Sequence, residues 1–143
     1  MGGDREYPAH PLVGVGALIH SGGKVLLIKR RFEPNRGKWS LPGGSLETGE
    51  SLEEGCRREV REELGLELGA LELLQVAEEI IPDAKGRTRF HFILVDFLAS
   101  PKGKKVTLNE ESDEFRWVTP AQAVRLETTA NTKLILKKFR GRR

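Results

Sequence analysis

Apolar residues in this chain fall in short β-branched runs separated by Gly, Pro and charge. Leu12–His20 (LVGVGALIH) is apolar over a strand's length and predicts a buried strand. The turn signal SGGK follows, and Lys24–Arg31 (KVLLIKRR) predicts a second strand, so the two read as a hairpin. Phe32–Trp39 has loop composition, and Trp39–Gly44 (WSLPGG) reads as a short extended piece. The period then changes. Ser51–Leu64 repeats apolar residues at helical spacing, with Gly65 placed as a C-terminal stop. Ala70–Ile81 predicts a strand broken by PDAKGR, and Thr88–Ala99 (TRFHFILVDFLA) is the strongest strand signal. Ser100–Asp113 reads as a long polar loop and Glu114–Val118 as a short strand. Thr119 caps a helix with Pro120 at its first position, and Thr129–Phe139 reads as a terminal helix. The pattern is that of one α+β domain, residues 1–143, with a mixed sheet and helices outside it.

Composition narrows the class. At 143 residues and 38% hydrophobic the chain can bury a core. One cysteine, Cys56, excludes an intrachain disulfide framework and suits a reducing compartment. No apolar run approaches the ~18 residues of a membrane span, and MGGDREYPAH lacks the pattern of a signal peptide. The reading is a cytoplasmic protein without a membrane partner, its residues 1–10 flexible. The net charge of +3 is uneven. Residues 133–143 hold six Lys/Arg and no acid, leaving eighteen basic against twenty-one acidic residues elsewhere. That tail reads as a solvated end, and nucleic acid is not expected as a partner.

The helix carries a charge problem. On a wheel of about 100° per residue, Leu52, Cys56, Val60 and Leu64 form a stripe of roughly 120° that should pack on the sheet. Glu63 falls inside that stripe and Glu59 about 20° outside its edge, with Glu62 about 60° further round. An unpaired buried carboxylate is unfavourable by several kcal/mol, on the order of 3–5. Arg58 can pair with Glu62 four residues on, but Arg57 and Arg61 point away from Glu59 and Glu63. Two explanations remain open on spacing alone: an ion-pair network, or a bound hard cation with oxygen ligands.

The residues Gly44, Glu50 and Arg58–Leu66 (REVREELGL) resemble the Nudix box, G-x5-E-x7-R-E-U-x-E-E-x-G-U, where U is a bulky aliphatic residue. All nine defined positions match over 23 residues: Gly44, Glu50, Arg58, Glu59, Val60, Glu62, Glu63, Gly65 and Leu66. The resemblance extends from Leu12 to about Leu126. It implies a Nudix fold, an α/β/α sandwich around a mixed sheet. It also implies hydrolysis of a nucleoside diphosphate linked to another group, using Mg²⁺ or Mn²⁺. Carried over by position, Glu59, Glu62 and Glu63 are the expected metal ligands, with the Gly44 carbonyl a further one. Glu50 and Arg58 are the expected brace between loop and helix. The catalytic base is expected at Glu111, with Glu110, Glu114, Glu59 and Glu63 as rivals.

The substrate is less defined. Pro82 lies 16 residues after Leu66, as in relatives that act on ADP-ribose, although it also suits the end of a strand. The leading expectation is hydrolysis of ADP-ribose to AMP and ribose 5-phosphate. The alternatives are a nucleoside triphosphate pyrophosphatase that clears oxidised nucleotides, and a non-catalytic nucleotide sensor. Candidate substrate contacts are Arg30, Arg31 and Arg89 for phosphate and Trp39 for a stacked base, with Lys29, Arg87, Phe32 and Phe90 as neighbours. His91 and Cys56 read as packed residues. A homodimer is compatible with the resemblance.

Overall fold

The computed structural model describes residues 5–103 and 105–141. The last two arginines of the basic tail therefore lie outside the described residues, as does Lys104. Seven strands and three helices follow one another as β1 Leu12–Ser21, β2 Lys24–Arg30, β3 Trp39–Ser40, β4 Gly43–Ser45, α1 Leu52–Leu64, β5 Glu72–Pro82, β6 Thr88–Ala99, β7 Ser112–Val118, α2 Pro120–Ala123 and α3 Ala130–Gly141. The sheet runs β3-β2-β1-β6-β5, with β4 added on β1 and β7 on β2. Among the strands of the described residues, β1 and β6 are the pair that runs parallel, from Leu12↔Phe92 to Ile19↔Ala99. The others are antiparallel, so the sheet is mixed.

Alternation along β1 and β2 builds two cores. Val15, Ala17 and Ile19 of β1 with Leu26 and Ile28 of β2 face Cys56, Val60 and Leu64 of α1. Leu18, Val25 and Leu27 point the other way, onto Ile135 and Leu136 of α3. Both faces of these strands are covered, which is why their sequences read as continuous apolar runs. The layers are helix, mixed sheet, helix.

Helix α1 is closed at both ends by local chemistry. Ser51 accepts from the Glu54 amide while the Glu54 carboxylate accepts from the Ser51 amide, a reciprocal capping box. Gly65 ends the helix at φ 68°, a left-handed conformation that glycine adopts without penalty. One expectation needs correction. Leu52 lies on the predicted stripe but is 40% exposed, because it is the first helical residue and sits beyond the packed cluster. The true buried face is Gly55, Cys56, Glu59, Val60, Glu63 and Leu64.

Two further differences matter for the site. The piece WSLPGG is two strands, with Ser40 pairing β2 and Gly43 pairing β1. The long loop after β6 is packed rather than loose. Its Thr107 and Asn109 amides donate to the Leu64 and Glu63 carbonyls at 2.8 and 3.2 Å, capping the end of α1. Residues 5–10, expected to be flexible, contain a segment tied to β6 through the Tyr7 amide and the Arg89 carbonyl at 2.7 Å. Among the described residues, no helix is long and apolar enough to cross a membrane.

Candidate active site

The site begins where β4 meets α1. The Glu59 carboxylate lies against Gly44, so closely that a Cβ there would collide with it. A Cβ on Gly43 would run into the Val15 carbonyl of β1. Two glycines in sequence therefore let a helix carboxylate rest on the strand's backbone. One turn on, Glu63 Oε1 accepts from the Gly43 amide at 3.0 Å and its Oε2 from the Ser112 hydroxyl at 3.2 Å. Glu59 and Glu63 are 4% and 3% exposed, which is unusual for glutamate.

Arg58 is the hub beside them. It grips both oxygens of Glu50, and its Nη2 also donates to the Ser45 carbonyl at 2.9 Å. Its Nη1 reaches Glu59 at 2.9 Å and Glu62 at 3.1 Å. The guanidinium is held strongly in its charged form, chiefly by Glu50, and Glu50 is held below the usual carboxylate range by Arg58. Loop and helix are thus joined by a bidentate ion pair.

The three expected metal ligands are not gathered into one cluster. Glu62 is half exposed and turned to Arg58, whose Nη1 stands between it and Glu59. Among the described residues, no group of three or more His, Cys, Asp or Glu is arranged to hold an ion. The physical reason is that like charges separate and each takes the nearest donor. The remaining acids still fit a hard cation. Glu63 has no Lys or Arg within ion-pair distance among the described residues. Burial pushes it up to about 7, Gly43 and Ser112 oppose this, and the charges of Glu111 and Glu59 add to it. Burial also raises Glu59, opposed by Arg58 and reinforced by Glu111 and Glu62. Glu111 thus acts electrostatically on both helix carboxylates. The Asn109 side chain accepts from the Glu111 amide at 2.9 Å and fixes the loop there.

Two adjoining cavities open at this point. The smaller, about 50 Å³, is lined by Glu63, Glu111, Arg30, Arg31 and Phe32. The larger, about 110 Å³, runs between β1, β6 and the start of α3. Arg5, Arg30, Leu41, Gly43 and Gly44 line both. Arg30 donates to the Pro34 carbonyl at 2.7 Å. Arg31 lines the smaller cavity but is engaged, donating to Asp113 at 2.7 Å and to the Glu110 carbonyl at 2.8 Å. Glu114 is turned to Arg116 at 3.1 Å.

Other expected contacts lie elsewhere. Trp39 is 6% exposed, packed in the core under α3 with the Arg116 guanidinium 4.8 Å from its ring, so it cannot stack on a base. Phe90 is 1% exposed. Arg89 lines neither cavity; it pairs with Glu6 at 2.8 Å. Pro82 is exposed at the end of β5. Cys56 is core, its thiol pushed up to about 12 by burial.

The larger cavity holds residues that sequence reading passed over. Asp96 of β6 is 4% exposed, is raised by burial, and accepts from the Asn131 side chain at 2.9 Å. Glu79 of β5 is also raised by burial. Asp96 left a signal, an acid inside the apolar run FILVDFLA. Asn131 and Arg5 left none.

A buried pair of carboxylates, a backbone that admits them and two arginines across a cleft suit a phosphoanhydride and its counter-ions. The chain belongs to the Nudix hydrolase family: the NUDIX domain model matches residues 10–139. It is similar to an ADP-ribose pyrophosphatase of Methanocaldococcus jannaschii, with 36% identity over 105 residues, 73% of this chain. The match covers 60% of that relative's length. It is also similar to the nucleoside triphosphatase NudI of Escherichia coli, at 30% identity over 84% of this chain and 90% of that one. Among solved structures, a MutT NUDIX hydrolase from Burkholderia pseudomallei superposes with a TM-score of 0.79 at 31% identity, covering 90% of this chain and 98% of that one.

Proposed function

We propose that this chain hydrolyses the pyrophosphate bond of ADP-ribose, releasing AMP and ribose 5-phosphate. The observation that carries the reaction class is Glu63, buried, without an ion-pair partner among the described residues, and near the charges of Glu59 and Glu111 at the cavity that Gly43 and Gly44 also line. Glu59, Glu63 and the Gly44 carbonyl would hold Mg²⁺, or Mn²⁺ in its place, with Glu62 joining when released from Arg58. The metal, when bound, neutralises the pyrophosphate and acidifies the attacking water. Glu111, which lines the cavity on a loop held against the end of α1, would accept the proton of that water. The brace of Arg58 on Glu50 holds the strand-to-helix turn, so the carboxylates keep their positions as charge builds up. Arg30, which lines the same cavity as Glu63 and Glu111, supplies positive charge there.

ADP-ribose is favoured by the name of the Methanocaldococcus jannaschii relative. A second reading, a nucleoside triphosphate pyrophosphatase, is favoured by coverage, since the nucleoside triphosphatase NudI is matched over 90% of its length. Incubation with Mg²⁺ and a panel of diphosphate sugars and nucleoside triphosphates separates the two. AMP plus ribose 5-phosphate supports the first. A nucleoside monophosphate plus pyrophosphate, with no turnover of any diphosphate sugar, replaces it with the second.

A further inference from the structure

Two arginines meet where the cavities join, and neither forms an ion pair there among the described residues. Arg5 and Arg30 line both cavities. Among the described residues, no carboxylate lies within ion-pair distance of either. Arg5 donates one Nη2 hydrogen to the Glu33 carbonyl at 3.2 Å, while its Nε is buried with no partner. A buried donor left unmade is unfavourable, so the position invites an acceptor. Burial, then the nearby charge of Arg5, lower the hold of Arg30 on its proton, against the charges of Glu79, Glu63 and Glu111. Two guanidiniums placed to repel each other are an arrangement that an anion between them would relieve.

The segment that delivers Arg5 is anchored from outside the Nudix box. Tyr7 donates its amide to the Arg89 carbonyl at 2.7 Å and its hydroxyl to Asp83 at 2.9 Å. The Arg87 guanidinium lies 5.1 Å from the Tyr7 ring centroid, and Glu6 pairs with Arg89 at 2.8 Å. All of these partners belong to the hairpin of β5 and β6. Arg89 thus acts as a fastener for the segment rather than as a contact in the cleft.

The geometry points to Arg5 as a substrate-binding residue that forms, with Arg30, a clamp on a phosphate group of a phosphoanhydride held across the junction of the two cavities. This rests on the reading that the substrate is a phosphoanhydride, and it adds the segment around Arg5 to the site. Tyr7 is then a positioning residue.

The test is calorimetric titration of the whole chain with inorganic pyrophosphate, with and without Mg²⁺, for wild type, R5Q, R5K and Y7F, alongside steady-state kinetics on ADP-ribose. R5Q is expected to weaken pyrophosphate binding about ten- to a hundredfold and to raise KM similarly, with kcat within about threefold. R5K should recover part of the affinity through its charge, and Y7F should raise KM less than R5Q. Equal pyrophosphate affinity for wild type and R5Q in both buffers overturns the clamp. So does an R5Q that lowers kcat and Tm while pyrophosphate affinity is unchanged, which marks Arg5 as structural cover. If wild type turns over neither ADP-ribose nor a triphosphate but R5Q still loses pyrophosphate, the proposed substrate fails and the clamp stands.

Discussion

Glu63 combines burial, two neutral hydrogen bonds and, among the described residues, the absence of an ion-pair partner, and its behaviour with pH follows from that. Its folded value of about 7 lies above the roughly 4.3 of a free glutamate. The folded state therefore holds this proton more tightly than the unfolded state does. In metal-free protein the resulting stability is fully present below about pH 4.3 and is lost as pH rises through 7. Urea unfolding in chelator from pH 5 to 8 should show stability falling over that range, and Glu63→Gln should flatten the fall. The same variant should lose turnover by about a hundredfold or more while its circular dichroism stays native. A variant that turns over like wild type would remove Glu63 from the metal site. At this scale the sequence was partly readable. The wheel placed Glu59 and Glu63 near the packed face, but it could not reveal that Gly44 makes room for Glu59 or that Ser112, 49 residues away, bonds Glu63.

Helix α1 is an element specified almost wholly by its own residues. Ser51, Glu54 and Gly65 mark its ends, and the observed caps use those groups. Ser51→Ala removes an acceptor for the Glu54 amide and breaks the capping box, which should cost about 1 kcal/mol and lower Tm by a few degrees. Because Glu59 and Glu63 lie two and three turns further on, kcat is expected to be unchanged. Thermal melts and steady-state rates on the same preparation check both halves of the statement. A cap change that abolished turnover would mean that the helix start itself tunes the carboxylates. Strand β1 was equally legible, since its apolar run is buried on both faces. The loop before β7 was not. Its composition reads as solvated and polar, yet Val106 and Leu108 pack on the core and its amides cap α1. Two apolar residues among lysines and glutamates are too sparse for periodicity to detect.

At the scale of the whole molecule, binding at the proposed metal site would couple to stability. The proposed ion would bind the folded carboxylates and not the unfolded chain, so it should raise Tm by mass action, adding about 2.7 kcal/mol of stability at a hundredfold excess over Kd. The rise should be larger at pH 8 than at pH 5.5, because a ligand carboxylate must first lose its proton. Differential scanning calorimetry with and without Mg²⁺ measures it, and Glu63→Gln should show little of it. An equal Mg²⁺ shift in that variant would place the ion elsewhere.

The sequence alone determined the local rules: the apolar strands, the caps of α1, the family through its box, and the presence of acids on a face that should be buried. Each depends on residues within a turn or two of one another, where periodicity and spacing are sufficient. The tertiary structure decided which distant groups meet. It brought Ser112 and Glu111 to α1, took Trp39 into the core, and set Arg5 beside Arg30. Those meetings depend on strand order and loop packing, and spacing along the chain holds no record of them.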